Sequence, residues 1–190
     1  MKNIAIFASG SGTNAQAIAE YFSRQPSARI ECILSNKENA YVLERAKKFN
    51  IPAYIFNREE FYHSDKILDI LKEHRIDFIV LAGFLWLVPE NLIAEYPDRI
   101  VNIHPALLPK YGGKGMYGMR VHEAVIANKE KESGISIHFV NERYDEGNII
   151  ARFTCPVRED DTPESLAERI HLLEHEHYPK VIEELVSHAM

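Results

Sequence analysis

Asn3-Ile4-Ala5-Ile6-Phe7-Ala8, followed at once by Ser9-Gly10-Ser11-Gly12-Thr13-Asn14 and then by Ala15, Ile18, Ala19 and Phe22, is the stretch on which the fold turns. The apolar run reads as a buried strand, and the four later residues mark one face of a helix. The same rhythm recurs along the chain. Residues 30–34 predict a strand, 40–49 a helix, 53–56 a strand, 59–74 a helix and 78–82 a strand. Strands alternating with helices at this spacing imply a doubly wound α/β fold, with a mostly parallel sheet covered by helices on both faces. Ser133–Val140 and Ile149–Val157, joined by the turn-rich Asn141-Glu142-Arg143-Tyr144-Asp145-Glu146-Gly147-Asn148, predict a hairpin that adds an antiparallel edge.

The glycine loop has its own chemistry. Glycines let a ligand approach the backbone closely, and the free amides and positive dipole end of the following helix favour an anion. Ser11, Thr13 and Asn14 add side-chain donors. The pattern G-x-G-x-N lacks the last glycine of the dinucleotide fingerprint and has no Walker lysine, so a simple phosphate ester fits better than a nucleotide cofactor. Ser35-Asn36 stands at the end of the second strand, where a nucleotide-sensing module would need an acidic residue for the ribose.

A chain of 190 residues fits one domain, 1–190. A hydrophobic share of 46% with 26% charged residues gives no support for disorder, and a net charge of -6 argues against nucleic-acid or anionic-membrane partners. Cys32 and Cys155 lie far apart in apolar runs and read as buried thiols. His171, Glu174, His175 and His177 lack the HExxH order of a zinc helix, so no metal is expected and these residues read as a polar helix face. The amino terminus runs into a glycine loop instead of a longer apolar segment with a cleavage site, and no stretch reaches transmembrane length. A cytoplasmic setting is the expectation.

Val101–Gly113, VNIHPALLPKYGG, ends a strand in a Gly/Pro-rich loop. Alternation puts Asn102 and His104 on one side of that strand, and Pro105 stops the ladder where open α/β sheets bind ligands. Gly83-Phe84-Leu85-Trp86-Leu87-Val88-Pro89 is either core or the wall of a pocket for a flat apolar ring. Pro89 opens a short helix to Tyr96, and His122–Asn128 reads as another. Thr162 and Pro163 are the cap and first residue of a long terminal helix, which Pro179 is expected to kink or divide.

VNIHPALLPKYGG resembles the signature of the folate-dependent formyltransferases, and SGSGTN points within that family to the branch that formylates glycinamide ribonucleotide in purine synthesis. The likeness runs from residue 2 to about residue 185. It implies a Rossmann-like fold and transfer of a formyl group from 10-formyltetrahydrofolate, a co-substrate, to the amine of 5'-phosphoribosylglycinamide, with no metal. It further implies Asn102, His104 and Asp145 as the catalytic trio and Gly12, Thr13 and Asn14 as the phosphate cradle. Glu174 would meet the glycinamide amine or ribose, and Arg58, Leu85, Trp86, Leu87, Val88 and Asn102 the folate. Two departures stand out: Tyr111–Arg120 is several residues longer than the commoner family form, and Trp86 replaces a smaller or basic side chain. Of the sibling activities, the tRNA-directed one brings a further carboxyl-terminal domain and basic surface. The deformylase has no need of a phosphate cradle and usually carries an amino-terminal regulatory domain. Both are expected to be absent here.

Overall fold

The apolar runs form strands β1 (Lys2–Phe7), β2 (Ala28–Ser35), β3 (Ala53–Ile55), β4 (Phe78–Leu81), β5 (Ile100–His104), β6 (Glu132–Phe139) and β7 (Ile149–Pro156) in the computed structural model, which describes residues 1–188. They make one sheet in the order β3-β2-β1-β4-β5-β6-β7. The first five strands are parallel, β6 is antiparallel to β5, and β7 is antiparallel to β6. The expected doubly wound sheet with its hairpin edge is therefore what forms. The chain leaves β1 through β2 to β3 and returns as β4 on the other side of β1. That reversal opens a crevice beyond the carboxyl ends of β1 and β4.

The helices are α1 (Thr13–Phe22), α2 (Val42–Lys48), α3 (Arg58–Tyr62), α4 (Lys66–Glu73), α5 (Glu90–Glu95), α6 (Met119–Ala127) and α7 (Pro163–His188). Strand alternation divides the core in two. Ile4, Ile6, Val80, Val101 and Ile137 pack with α1, α2, α6 and α7 on one face. Ala5, Phe7, Ile79, Leu81 and Ile100 pack with α3, α4 and α5 on the other. Asn102 and His104 share the second face with Ile100, but they lie beyond its hydrophobic core, at the strand's carboxyl end.

Three expectations need correction. The helix predicted over 59–74 is two helices, because Asn57 and Glu60 form a capping box for α3 and the Ser64 hydroxyl donates to Glu60 O at 2.8 Å, closing that helix before α4 begins. The helix expected from His122 starts earlier, at Met119. Pro179 does not divide α7, which is one helix of 26 residues. Proline removes the N–H that would reach His175 O, yet Pro179 is buried along with Tyr178, Val181 and Ile182. Burial of that face outweighs one lost backbone bond. Thr162 does cap α7, its hydroxyl accepting from Ser165 N at 3.2 Å.

Tyr178 ties α7 to the sheet beside the crevice. Its ring is fully buried, and its hydroxyl donates to Leu81 O at 2.9 Å, with Val101 O at 3.3 Å as the second acceptor. Tyr178→Phe should lower unfolding free energy by about 1–2 kcal/mol in urea titration, the cost of leaving buried carbonyls short of a donor. An unchanged midpoint would show that the hydroxyl contributes nothing to the tie.

Candidate active site

The carboxyl ends of β1, β4 and β5 open into a cavity of about 780 Å3, within the range of small-molecule sites. Gly10–Asn14, Leu85–Val88, Asn102, His104, Asp145 and Glu174 all line it. Of the catalytic and binding residues expected from the family resemblance, only Arg58 lies off this lining.

Antiparallel register with β6 builds the polar end. Asn102 lies opposite His138, and His104 opposite Ser136. His138 Nδ1 is 2.8 Å from Phe139 O, and a carbonyl only accepts, so Nδ1 carries hydrogen. Nε2 of a neutral ring is then an acceptor, and Asn102 Nδ2 donates to it at 3.1 Å. This fixes the Asn102 amide and leaves its second N–H free of that bond. His104 Nε2 in turn donates to Tyr111 O at 2.6 Å. Its Nδ1 is 3.5 Å from Asp145 Oδ2, while Asp145 Oδ1 is 3.6 Å from His138 Nε2.

Asp145 sits in the loop between β6 and β7 with φ of 57°, a left-handed conformation that Asp tolerates better than most residues. Gly113 N donates to its Oδ2 at 3.0 Å. Burial alone would raise this carboxyl, but the neighbouring His138 and His104 rings and the Gly113 amide together hold it below its ordinary range. Burial is also the largest influence on His104 and lowers its pKa, against the opposing pull of Asp145 and the bond to Tyr111.

Ser136 anchors the loop that follows β5: its hydroxyl donates to Ala106 O at 2.7 Å and accepts from Leu108 N at 3.0 Å. His138 and Ser136 escaped the sequence reading. Their signal was the alternation in Ile135-Ser136-Ile137-His138, a polar face on a strand whose neighbour carries Asn102 and His104.

At the glycine loop, Gly12 caps α1 with φ of 74°, and a side chain there would overlap Val42. Asn14 was expected to offer a donor to phosphate. In the structure its Nδ2 donates to Glu174 Oε2 at 2.9 Å, and Asn14 lines the cavity. Glu174 is only 6% exposed, and burial pushes its carboxyl up to about 7 against that hydrogen bond. The helix face expected to be merely polar is thus partly inside: His171 and Glu174 reach the cavity. His177 stacks on Phe153 at 3.7 Å between centroids. His122, from α6, also reaches the cavity; it is 2% exposed, and burial takes its pKa down to about 4, so it stays neutral.

The Leu85–Val88 segment is both wall and core. Leu85 N donates to the buried Ser9 hydroxyl at 3.0 Å, and the Tyr62 hydroxyl donates to Leu87 O at 2.8 Å. Trp86 packs against Phe56, Phe61 and Phe84. Arg58 lies 4.9 Å from the Trp86 ring centroid, a cation–π contact that places it behind the wall. The long loop contributes Gly113 to Arg120 to the lining. Among the described residues no group of three or more His, Cys, Asp or Glu is placed to hold a metal ion, and no helix is long and apolar enough to cross a membrane.

Comparison with known proteins bears on this cavity. The profile of the family described as formyl transferase matches residues 2–182. The chain is 41% identical over 187 residues to a chloroplastic phosphoribosylglycinamide formyltransferase of Arabidopsis thaliana, covering 95% of this chain and 64% of that protein. It is 36% identical over 191 residues to the phosphoribosylglycinamide formyltransferase of Bacillus subtilis, covering 98% of this chain and 95% of the relative. The crystal structure of phosphoribosylglycinamide formyltransferase from Bacillus halodurans superposes with a TM-score of 0.88 at 38% identity, covering 100% of this chain and 97% of that one. The chain therefore spans less than two thirds of the plant relative and nearly all of the bacterial ones, and it belongs to the formyl transferase family.

Proposed function

We propose that this chain transfers the formyl group of 10-formyltetrahydrofolate to the amine of 5'-phosphoribosylglycinamide in purine synthesis; the names of its relatives, phosphoribosylglycinamide formyltransferases, support the formyl transfer and the acceptor. One observation carries the proposal: a single cavity joins a glycine loop suited to phosphate, an amide–imidazole–carboxylate set and an apolar wall. Those are the three things the two substrates require: an anchor for the phosphate, a centre for acyl transfer and a surface for the folate ring.

The reaction begins with a neutral amine attacking the formyl carbon. Negative charge builds on the formyl oxygen and positive charge on the nitrogen. Asn102 meets the first, because His138 holds its amide in place and its remaining N–H cannot titrate. His104 supports the same charge when protonated at both nitrogens, with Tyr111 O taking the Nε2 proton and Nδ1–H directed toward Asp145 and the reacting oxygen. Asp145, kept ionised by its surroundings, receives the amine proton directly or through a water. Collapse of the tetrahedral centre breaks the bond to folate N10, which leaves with a proton. The phosphate, held by Gly12 and Thr13 far from the amine, fixes the reacting geometry. Leu85, Trp86, Leu87 and Val88 present backbone and apolar surface to the pterin. Arg58 acts on that side through the Trp86 and Tyr62 rings, over which its guanidinium lies.

Mixing the protein with 10-formyltetrahydrofolate and glycinamide ribonucleotide, with a control lacking the amine, tests the reaction. Amine-dependent formation of tetrahydrofolate is the expected result. Turnover without amine would show a hydrolase instead. Asn102→Ala should lower kcat on the order of a hundredfold or more if the amide stabilises the oxyanion; a small loss in a normally folded variant would remove it from that role. Asp145→Asn should push the His104 pKa lower still, since it deletes the charge that opposes burial. A histidine titration by NMR reads this, and an unmoved His104 would contradict the pairing.

Glu174 links the site to pH. Its folded pKa of about 7 lies above the ordinary 4.5, so the native state holds a proton that the unfolded chain has already released. The stability tied to that proton is complete below pH 4.5 and is lost as pH rises through about 7. Glu174→Gln cannot ionise. It should be more stable than the parent above pH 7 by up to about 3 kcal/mol, at 1.36 kcal/mol per pKa unit, and the gap should close below pH 4.5. Urea denaturation across this range checks the prediction, and a pH-independent difference would exclude ionisation as its cause.

A further inference from the structure

We infer that Arg45, on α2 and outside the substrate cavity, is a positioning residue that aims the backbone of the glycine loop at the substrate phosphate. This rests on the phosphate reading of that loop. Two carbonyls of the loop are taken by α2 and its start: Val42 N donates to Gly10 O at 3.1 Å, and Arg45 Nε donates to Ser11 O at 2.7 Å. In a planar trans peptide the C=O and the following N–H point in opposite directions. Each carbonyl drawn toward α2 therefore turns the next amide, of Ser11 and of Gly12, away from it. α2 contributes nothing to the cavity lining, whereas Gly10 to Asn14 all do. The turned amides face that side, and neither has an intramolecular backbone acceptor among the described residues.

Arg45 is itself held. Its Nη1 donates to Gln16 Oε1, Gln16 Nε2 donates to Glu20 Oε1 at 2.8 Å, and the Tyr41 ring lies 4.9 Å from the guanidinium. The guanidinium faces a neighbouring depression shared with Thr13, Gln16, Glu20 and His175, and Arg45 does not line the substrate cavity itself. It acts through the Ser11 carbonyl alone. A guanidinium suits the task because its charge is permanent and its donors form a rigid fork, bridging Ser11 O and Gln16 at once.

Steady-state kinetics of the wild type, Arg45→Ala and Arg45→Lys, with glycinamide ribonucleotide and with its dephosphorylated riboside, separate positioning from general support. Titration of ribose 5-phosphate by calorimetry runs alongside. Arg45→Ala is expected to raise KM for the ribonucleotide roughly tenfold or more, the loss of a charge-assisted hydrogen bond that orders the site. Its kcat, its KM for the folate and its handling of the riboside should stay within about twofold. Arg45→Lys, which keeps a donor and the charge, should recover part of the loss. Equal losses on ribonucleotide and riboside, or a fall in kcat alone, would overturn the inference. Gln16→Ala removes the second tether and gives the same comparison if Arg45→Ala does not fold. A wild type that binds ribose 5-phosphate, more weakly when Arg45 is replaced, but transfers no formyl group would sink the proposed reaction and leave Arg45 its role. A wild type that does not bind ribose 5-phosphate would sink both the phosphate reading and the role of Arg45.

Discussion

The pairing of β5 with β6 sets Asn102 against His138 and His104 against Ser136, and the polar end of the cavity depends on this register. Side chains alternate along a strand, so a slip of one residue would turn Asn102 and His104 into the apolar core and put the Val101 and Ile103 side chains in their place. Such a slip is opposed from both sides. Val101 and Ile103 are buried with Ile135 and Ile137 on the opposite face, and Ser136 fastens the chain beyond β5 at Ala106 and Leu108. The geometry proposed for catalysis is thus carried by hydrophobic burial on the opposite face of the strand.

Three backbone carbonyls do chemical work at a distance from the reacting atoms. Phe139 O fixes the tautomer of His138 and so the orientation of Asn102, and Tyr111 O decides which nitrogen of His104 keeps its proton. Ser11 O, held by Arg45, turns an amide of the glycine loop. A carbonyl serves here because it only accepts and cannot titrate, so it imposes a proton position at every pH.

The doubly wound sheet, its hairpin edge and the placement of Asn102 and His104 were readable because each rests on short-range signals: alternation, apolar runs, and a proline ending a strand. Asp145 could be marked only through family likeness, since nothing local distinguishes it from an ordinary turn residue. What lay beyond reading was long-range. The Asn14–Glu174 bond joins residues 160 apart in sequence, and the Arg45–Ser11 bond residues 34 apart. The division of 59–74 was local, carried by an Asn-x-x-Glu cap and a serine, but the apolar periodicity continued across it. Pro179 shows the converse, a strong local breaker overridden by burial of the helix face around it.

Net charge and site charge point in opposite directions, and their reconciliation lies in distance. The chain carries a net charge of -6, yet the ligands proposed for it are anionic. Exposed charges more than about 8–10 Å apart are largely screened at physiological ionic strength, so acidic groups elsewhere on the surface have little effect at the cavity. Lys37, Lys114, Arg120 and Arg143 line it, against two carboxylates, Asp145 and Glu174. Neither of these acts as a free negative charge. Asp145 is turned toward two imidazoles and the Gly113 amide, and Glu174, with a pKa near 7, is partly protonated at neutral pH. The cavity therefore presents a cationic lining over carboxyl groups whose charge is already answered or withheld, and an acidic protein gains a local field that favours phosphate and carboxylate ligands.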